Sequence, residues 1–288
     1  MDTSLERLAL PDRKSLAAAR DLLEHPSLAA RLTALVGLPL EEAVRLLPGG
    51  VSERVHRVAE GAILRALAVA LRSLPGREPS ASRSDLHRVL GMATGAAGGF
   101  FGLPGTLAEL PVSTTLMLRS IADIARSHGE DLDDATARLA CVEVFAYGGR
   151  RVDDDAAETG YYGLRMALAF HLSTVSRNLV EQGLAKASLP ATVQLARAVA
   201  ARFGIAVSDK LAFQMVPVAG AISGATLNAI FMQHFQDMAH GHFTVRRLER
   251  AYDTDTVRSA YEALAGEEPR RRRDAARSRV LEHGPSDR

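Results

Sequence analysis

One cysteine in 288 residues, three lysines and almost no β-branched alternation are the first absences in this sequence. With Cys141 alone, no disulfide can form within the chain, which fits a reducing compartment. A net charge of +1 creates no global field, so nucleic acid is not an expected partner. The opening MDTSLERLALPDRK mixes acids and bases without an apolar core and does not read as a secretory signal. A cytoplasmic bacterial protein is expected. Catalytic signatures are missing too: there is no HExxH, no GxSxG and no Walker A motif. No repeat recurs at a short fixed period.

What is present is helical pattern. Hydrophobic residues make up 47% of the chain and charged residues 24%, a balance that excludes disorder for most of its length. Ala, Leu, Arg and Glu recur at helical spacing throughout, which predicts an all-α fold, a multi-helix bundle. Residues 1–74 form an N-terminal helical region of three or four helices, the last long and amphipathic from Ser52 to Leu74. Residues 75–85 are a polar loop, 86–265 a helical core, and 266–288 an arginine-rich tail expected to fray or be disordered. Within the core the pattern places helices at about 106–128, from 130–134 to about Tyr147, at 161–187 and at 190–203. An uncharged run follows at 211–236, and two short helices at 244–252 and 255–265 close the fold.

Two segments explain the bundle's expected centre. In VLGMATGAAGGFFGLPGTLAELPVSTTLML (89–118), Glu109 is the single charge, and Gly91, Gly95 and Gly99 recur every fourth residue. Gly220 and Gly224 repeat the spacing, joined by Ala221, Ala225 and Ala229. Small residues at this interval share one helix face and let another backbone approach closely. Each glycine costs about 1 kcal/mol of helix stability against alanine, so the pattern requires a compensating contact. The seams are expected to pack on each other or on a common neighbour. A buried hairpin is preferred over reversible membrane association, and both over spanning. Pro104, Pro217, Gln214 and Asn228 and a low Leu-Ile-Val density argue against insertion.

Chemistry-bearing residues cluster in HFQDMAHGH: His234, Asp237, His240 and His242. Three imidazoles and a carboxylate could ligate one divalent metal, with Gly241 ending the helix and letting His242 turn back. The plainer alternative is a helix terminus with histidines near the negative end of its dipole. Glu109, Ser113, Ser120, Asp123 and Ser127 fall on one polar stripe, making Glu109 and Asp123 candidate bases. The alternative is a solvated face with an Arg119–Asp123 pair, and a structural partner for Glu109 in Arg165 or Lys210. The acids at 153–158 read as a helix start, and Cys141 as a small core residue. The arginine tail could meet phosphate headgroups, with a solvated terminus as the default.

At the first glycine seam the sequence resembles the EcsC family, through GMATGAAGGFFGLPGTLAELPVSTTLMLRSIADIARSHGEDL (91–132). The likeness continues in ARLACVEVFAYGG (137–149), YYGLRMAL (161–168), VPVAGAISGATLNAIFMQHFQDMAHGHFTVRRLERAYD (216–253) and HPSLAARLTALVGLPLEEAVRLLP (25–48). The resemblance implies a predominantly helical bacterial protein, and its family takes its name from a locus encoding an ABC-type transporter that affects secretion. It supplies no agreed catalytic residue. A non-enzymatic accessory or regulatory protein at the inner face of the plasma membrane is therefore expected, with a membrane surface or membrane protein as partner and self-association left open. No cofactor is expected. Two alternatives stay open: a metal-dependent hydrolase built on the His/Asp cluster, and a lipid- or small-molecule-binding helical domain with an enclosed apolar cavity between the seams.

Overall fold

A computed structural model describes residues 3–25, 27–73, 102–149, 160–182, 189–216 and 224–265. Gly91, Gly95, Gly99 and Gly220, the polar loop, the acidic run and the tail lie outside the described residues. The helices are α1 (Thr3–Glu6), α2 (Leu10–Glu24), α3 (Leu28–Val36), α4 (Leu40–Arg45), α5 (Val51–Ser73), α6 (Gly102–Ser127), α7 (Ala135–Tyr147), α8 (Tyr161–Gln182), α9 (Leu189–Gln214) and α10 (Gly224–Tyr252). A last helix, α11, covers residues 254–265. No strand occurs among the described residues, and the fold is an all-α multi-helix bundle.

The interior is organised around α7. Asp134 caps it, its carboxylate accepting from the Thr136 amide at 3.0 Å. From Leu139 to Tyr147 every residue is buried, as expected of a helix that is apolar on all sides. Neighbours α5, α6, α8, α9 and α10 surround it. Amphipathic α5 turns Val55, Ala59, Ala62, Ile63, Ala66 and Ala70 inward while Arg54, Arg57 and Arg65 stay in solvent. It packs on α9 and α6, so the N-terminal helices share one hydrophobic core with the rest.

Two expected boundaries are corrected. Gly241 does not end a helix, and 244–252 is not a separate one: α10 runs unbroken to Tyr252. A Cβ at Gly241 would stand 2.6 Å from Leu23 Cγ and 2.9 Å from the Ala19 carbonyl oxygen. The glycine therefore serves the close crossing of α10 over α2 and is not a terminator. The real break falls at Asp253, with a left-handed φ of 77°. Its carboxylate then accepts from the Thr256 amide at 2.8 Å and starts α11. Likewise α9 extends to Gln214 rather than stopping near 203, so the uncharged run 211–236 is divided between α9 and α10. Among the described residues, no helix is long and apolar enough to cross a membrane.

Candidate functional site

The one acid inside α7's apolar surface is Glu143, 3% exposed. Its neighbours in sequence, Val142 and Val144, are fully buried, so the helix carries a carboxyl group into the core. The Tyr147 hydroxyl, one turn on, donates to Glu143 Oε1. Across the helix interface, His242 Nε2 of α10 stands 3.9 Å from Glu143 Oε2, beyond hydrogen-bond reach. His242 is completely buried; its Nδ1 shares a 2.8 Å hydrogen bond with the Tyr161 hydroxyl, and its Nε2 has no hydrogen-bond partner among the described residues. Tyr147, Tyr161 and His242 pack ring on ring at centroid distances of 5.1–5.8 Å, a spacing typical of aromatic clusters.

Glu143 forms part of the wall of a groove of about 570 Å³ between α7, α8 and α10. The volume falls within the usual range for small-molecule sites. Leu139, Ala140, Ala169 and Leu172 make its apolar wall, while Arg165, Arg177 and Arg246 bring guanidinium groups. Two of these are fixed by carboxylates behind them. Arg165 grips Glu249 through two N–H groups at 2.6 and 2.8 Å, and Tyr162 donates to the same carboxylate at 3.0 Å. Arg246 grips Glu130 at 2.9 and 3.0 Å, and Arg250 adds a second ion pair. These bidentate pairs lock the guanidinium planes. The remaining N–H groups of Arg165 and Arg246 have no protein acceptor among the described residues.

Burial decides the protonation states. It raises the Glu143 carboxyl above the usual carboxylate range, with Arg165 and the Tyr147 hydrogen bond only partly opposing it. Burial also holds His242 well below the usual imidazole value, reinforced by the charges of Arg165 and Arg246. Burial works against ionised Glu130, yet the hydrogen bond and charge of Arg246 and the charge of Arg250 prevail and lower its pKa. The groove thus presents a carboxyl group whose proton burial holds more tightly than usual beside guanidinium cations, with the neutral imidazole of His242 buried 3.9 Å from that carboxyl.

Of the candidates read from sequence, His242 stands beside Glu143 and the others go elsewhere. His234 donates from Nε2 to the Gly148 carbonyl at 3.0 Å, and burial pushes its pKa down to about 4. Asp237 pairs with Arg31 at 2.6 Å and accepts from Gln233 at 2.7 Å. His240 lies against His128, 3.2 Å between ring nitrogens. The four side chains leave one continuous helix in different directions, and no group of three or more His, Cys, Asp or Glu able to hold a metal occurs among the described residues. Glu109 does not pair with Arg165, which Glu249 holds, nor hydrogen-bond Lys210, whose ammonium donates to Asn228 at 2.6 Å. Glu109 Oε1 is buried with no hydrogen-bond partner among the described residues. Its charge nevertheless reaches Lys210, lowered to about 8 by burial and partly supported by Glu109.

The polar stripe of α6 is not a solvated face. Ser113 and Ser120 are buried, and Gln236 of α10 donates to Ser120 at 2.9 Å, because α6 turns that side toward α10. Asp123 pairs with Arg126, and Arg119 stands exposed. Gly224 opens α10. Cys141 is a core residue, its thiol pushed up to about 12 by burial. What sequence reading missed was Glu143 and its surroundings. The available signal was an acid flanked by valines in a helix otherwise clear of charge beyond its first turn.

A family model, the EcsC protein family, matches residues 30–248, a span that contains every residue lining the groove. No curated protein and no solved structure matches the chain.

Proposed function

From the premise that this chain belongs to the EcsC family, we propose that it is a small-molecule-binding helical domain whose groove between α7, α8 and α10 takes up an amphiphile. The observation that carries this reading is the groove itself: an apolar wall along Leu139 and Leu172 ending on a polar floor at Glu143, Arg165 and Arg246. Convergent polar groups at the base of a largely apolar cleft are the common design of ligand sites. The groove lies beside α7. Decanoate and decanol are suitable probes of the cleft. Saturable one-to-one binding of decanoate, weakened at least tenfold by A169W, is the expected calorimetric result. Ala169 is exposed on α8 and lines the groove, so a tryptophan there fills the cleft without entering the core. No saturable binding of either probe, or equal binding to A169W, would overturn the reading.

Peripheral attachment to the inner face of a membrane is a second reading, in keeping with an accessory role beside a transporter or secretion system. It is favoured by Met166 and Phe170, one turn apart on α8 beside the groove and 61% and 70% exposed. Large apolar side chains standing together in solvent mark interaction surfaces more often than isolated ones do. Flotation with anionic liposomes should fall when both are changed to serine. Flotation that is undiminished in the double variant would remove these residues from the contact.

A further inference from the structure

Three guanidinium groups and one carboxyl group line the groove, and that carboxyl is the one with least to hold it ionised. Among the described residues, Glu143 receives a single hydrogen bond, from Tyr147. Neither Arg165 nor Arg246 forms an ion pair with it, since Glu249 and Glu130 occupy them. His242 Nε2, fully buried and without a hydrogen-bond partner among the described residues, stops 3.9 Å short of Oε2. A carboxylate left this way in the interior is costly, and a neutral carboxylic acid is not.

We propose that the ligand of the groove is an organic anion with an apolar body, and that Glu143 receives it as a neutral carboxylic acid, so that anion and proton are held together. The inference rests on the binding reading above and adds the chemical class of the ligand and its dependence on pH. In the neutral acid, Oε1 accepts from Tyr147 and Oε2 carries the proton. That proton is then the donor for an incoming carboxylate, alongside the uncommitted N–H groups of Arg165 and Arg246. Ionised Glu143 would face the same anion as a like charge, with no donor to offer.

Several other titratable groups face Glu143. Arg165 and Tyr161 approach from α8, His242, Arg246 and Glu249 from α10, and Tyr147 from its own helix. The charged groups that bear most on it include none from α5, α6 or α9. Burial keeps His242 and both tyrosines neutral through the physiological range. The two arginines stay charged. Glu143 differs from these neighbours in that burial opposes its charge while geometry leaves it without an ion pair: its proton is retained to higher pH than on an exposed carboxyl.

The test is decanoate titration of the full chain by calorimetry at pH 6 and pH 9, where the probe itself is ionised. For the wild type the dissociation constant is expected to rise at least tenfold between the two. E143Q keeps a neutral donor of the same shape and is expected to bind equally at both. Lys210, lowered to about 8 by burial, is present in both proteins, so its contribution cancels in the comparison. Repeating the wild-type titration in two buffers of different ionisation enthalpy should count proton uptake with the anion, and E143Q should show none. The same pH dependence in both proteins would overturn proton-linked binding and leave the ligand site standing. Absence of decanoate binding to the wild type even at pH 6 would overturn the site itself.

Discussion

Replacing Gly149 with alanine is expected to destabilise the protein by about 3 kcal/mol or more. Gly149 follows the end of α7 where the chain meets α9, and an added Cβ would overlap the carbonyl oxygen of Arg202. A side-chain tip could rotate away from such a clash. The Arg202 carbonyl belongs to the ladder of α9 and can move only if the helix moves. Gly148 is confined as well, by the ring of Phe235. For a domain of this size the loss corresponds to a fall in thermal midpoint of roughly 6–12 °C. Gly61 gives the opposite expectation. Nothing lies within 4 Å of a Cβ there, on the exposed side of α5, so G61A should gain up to about 1 kcal/mol from helix propensity. Thermal unfolding of the two variants beside the parent tests both signs. A G149A protein as stable as the parent would mean that α7 and α9 do not meet this closely.

Acid should weaken the protein through His234, by an amount that H234Q removes. In the folded chain His234 has a pKa of about 4, against an ordinary 6.5, because burial excludes the charged ring. The sign follows from proton counting. Between pH 6.5 and 4 the unfolded chain binds a proton that the folded chain refuses, so stability falls as pH falls through that window. A displacement of this size corresponds to about 3 kcal/mol between pH 7 and pH 4. Glu143 acts in the other direction, since its raised pKa lets the folded state bind the extra proton. Comparing wild type with H234Q cancels that opposing contribution. Denaturant midpoints at both pH values should show the wild type losing about 3 kcal/mol more than the variant. Equal losses would mean that His234 is not held neutral by its surroundings.

Much of the fold was legible because the helices obey local rules. Asp134 before α7 and Gly148–Gly149 after it marked that helix correctly, and the arginine-studded face of α5 announced which side meets solvent. Gly241 was misread because a glycine within a helical pattern has two meanings. It can release the chain from the helix, or it can admit a neighbouring backbone, and α2 is the neighbour that decides. Sequence proximity also misled for His234, Asp237, His240 and His242. Each helical position turns by about 100°, so four polar residues within nine positions point around the cylinder rather than to one centre. Glu143 had the reverse difficulty. Its significance comes from Tyr161 and Arg165 on α8 and from His242 and Arg246 on α10, residues brought to it only by packing.

Buried polar groups that are mutually satisfied give specificity to a core, and partly satisfied ones mark where something else binds. Arg165–Glu249 and Arg246–Glu130 belong to the first kind, each guanidinium fixed through two hydrogen bonds. Glu143 and His242 belong to the second. Together they make a rigid basic rim around an acid whose proton burial holds more tightly than usual, a setting suited to the polar head of an amphiphile.

The decisive measurement is a crystal structure with 10-bromodecanoate, whose bromine can be located by anomalous scattering. The carboxylate should lie within hydrogen-bond distance of Glu143 and at least one of Arg165 and Arg246, with the bromine along the wall formed by Leu139 and Leu172. Bromine ordered at another surface while the groove stays empty would contradict the assignment of this groove as the ligand site.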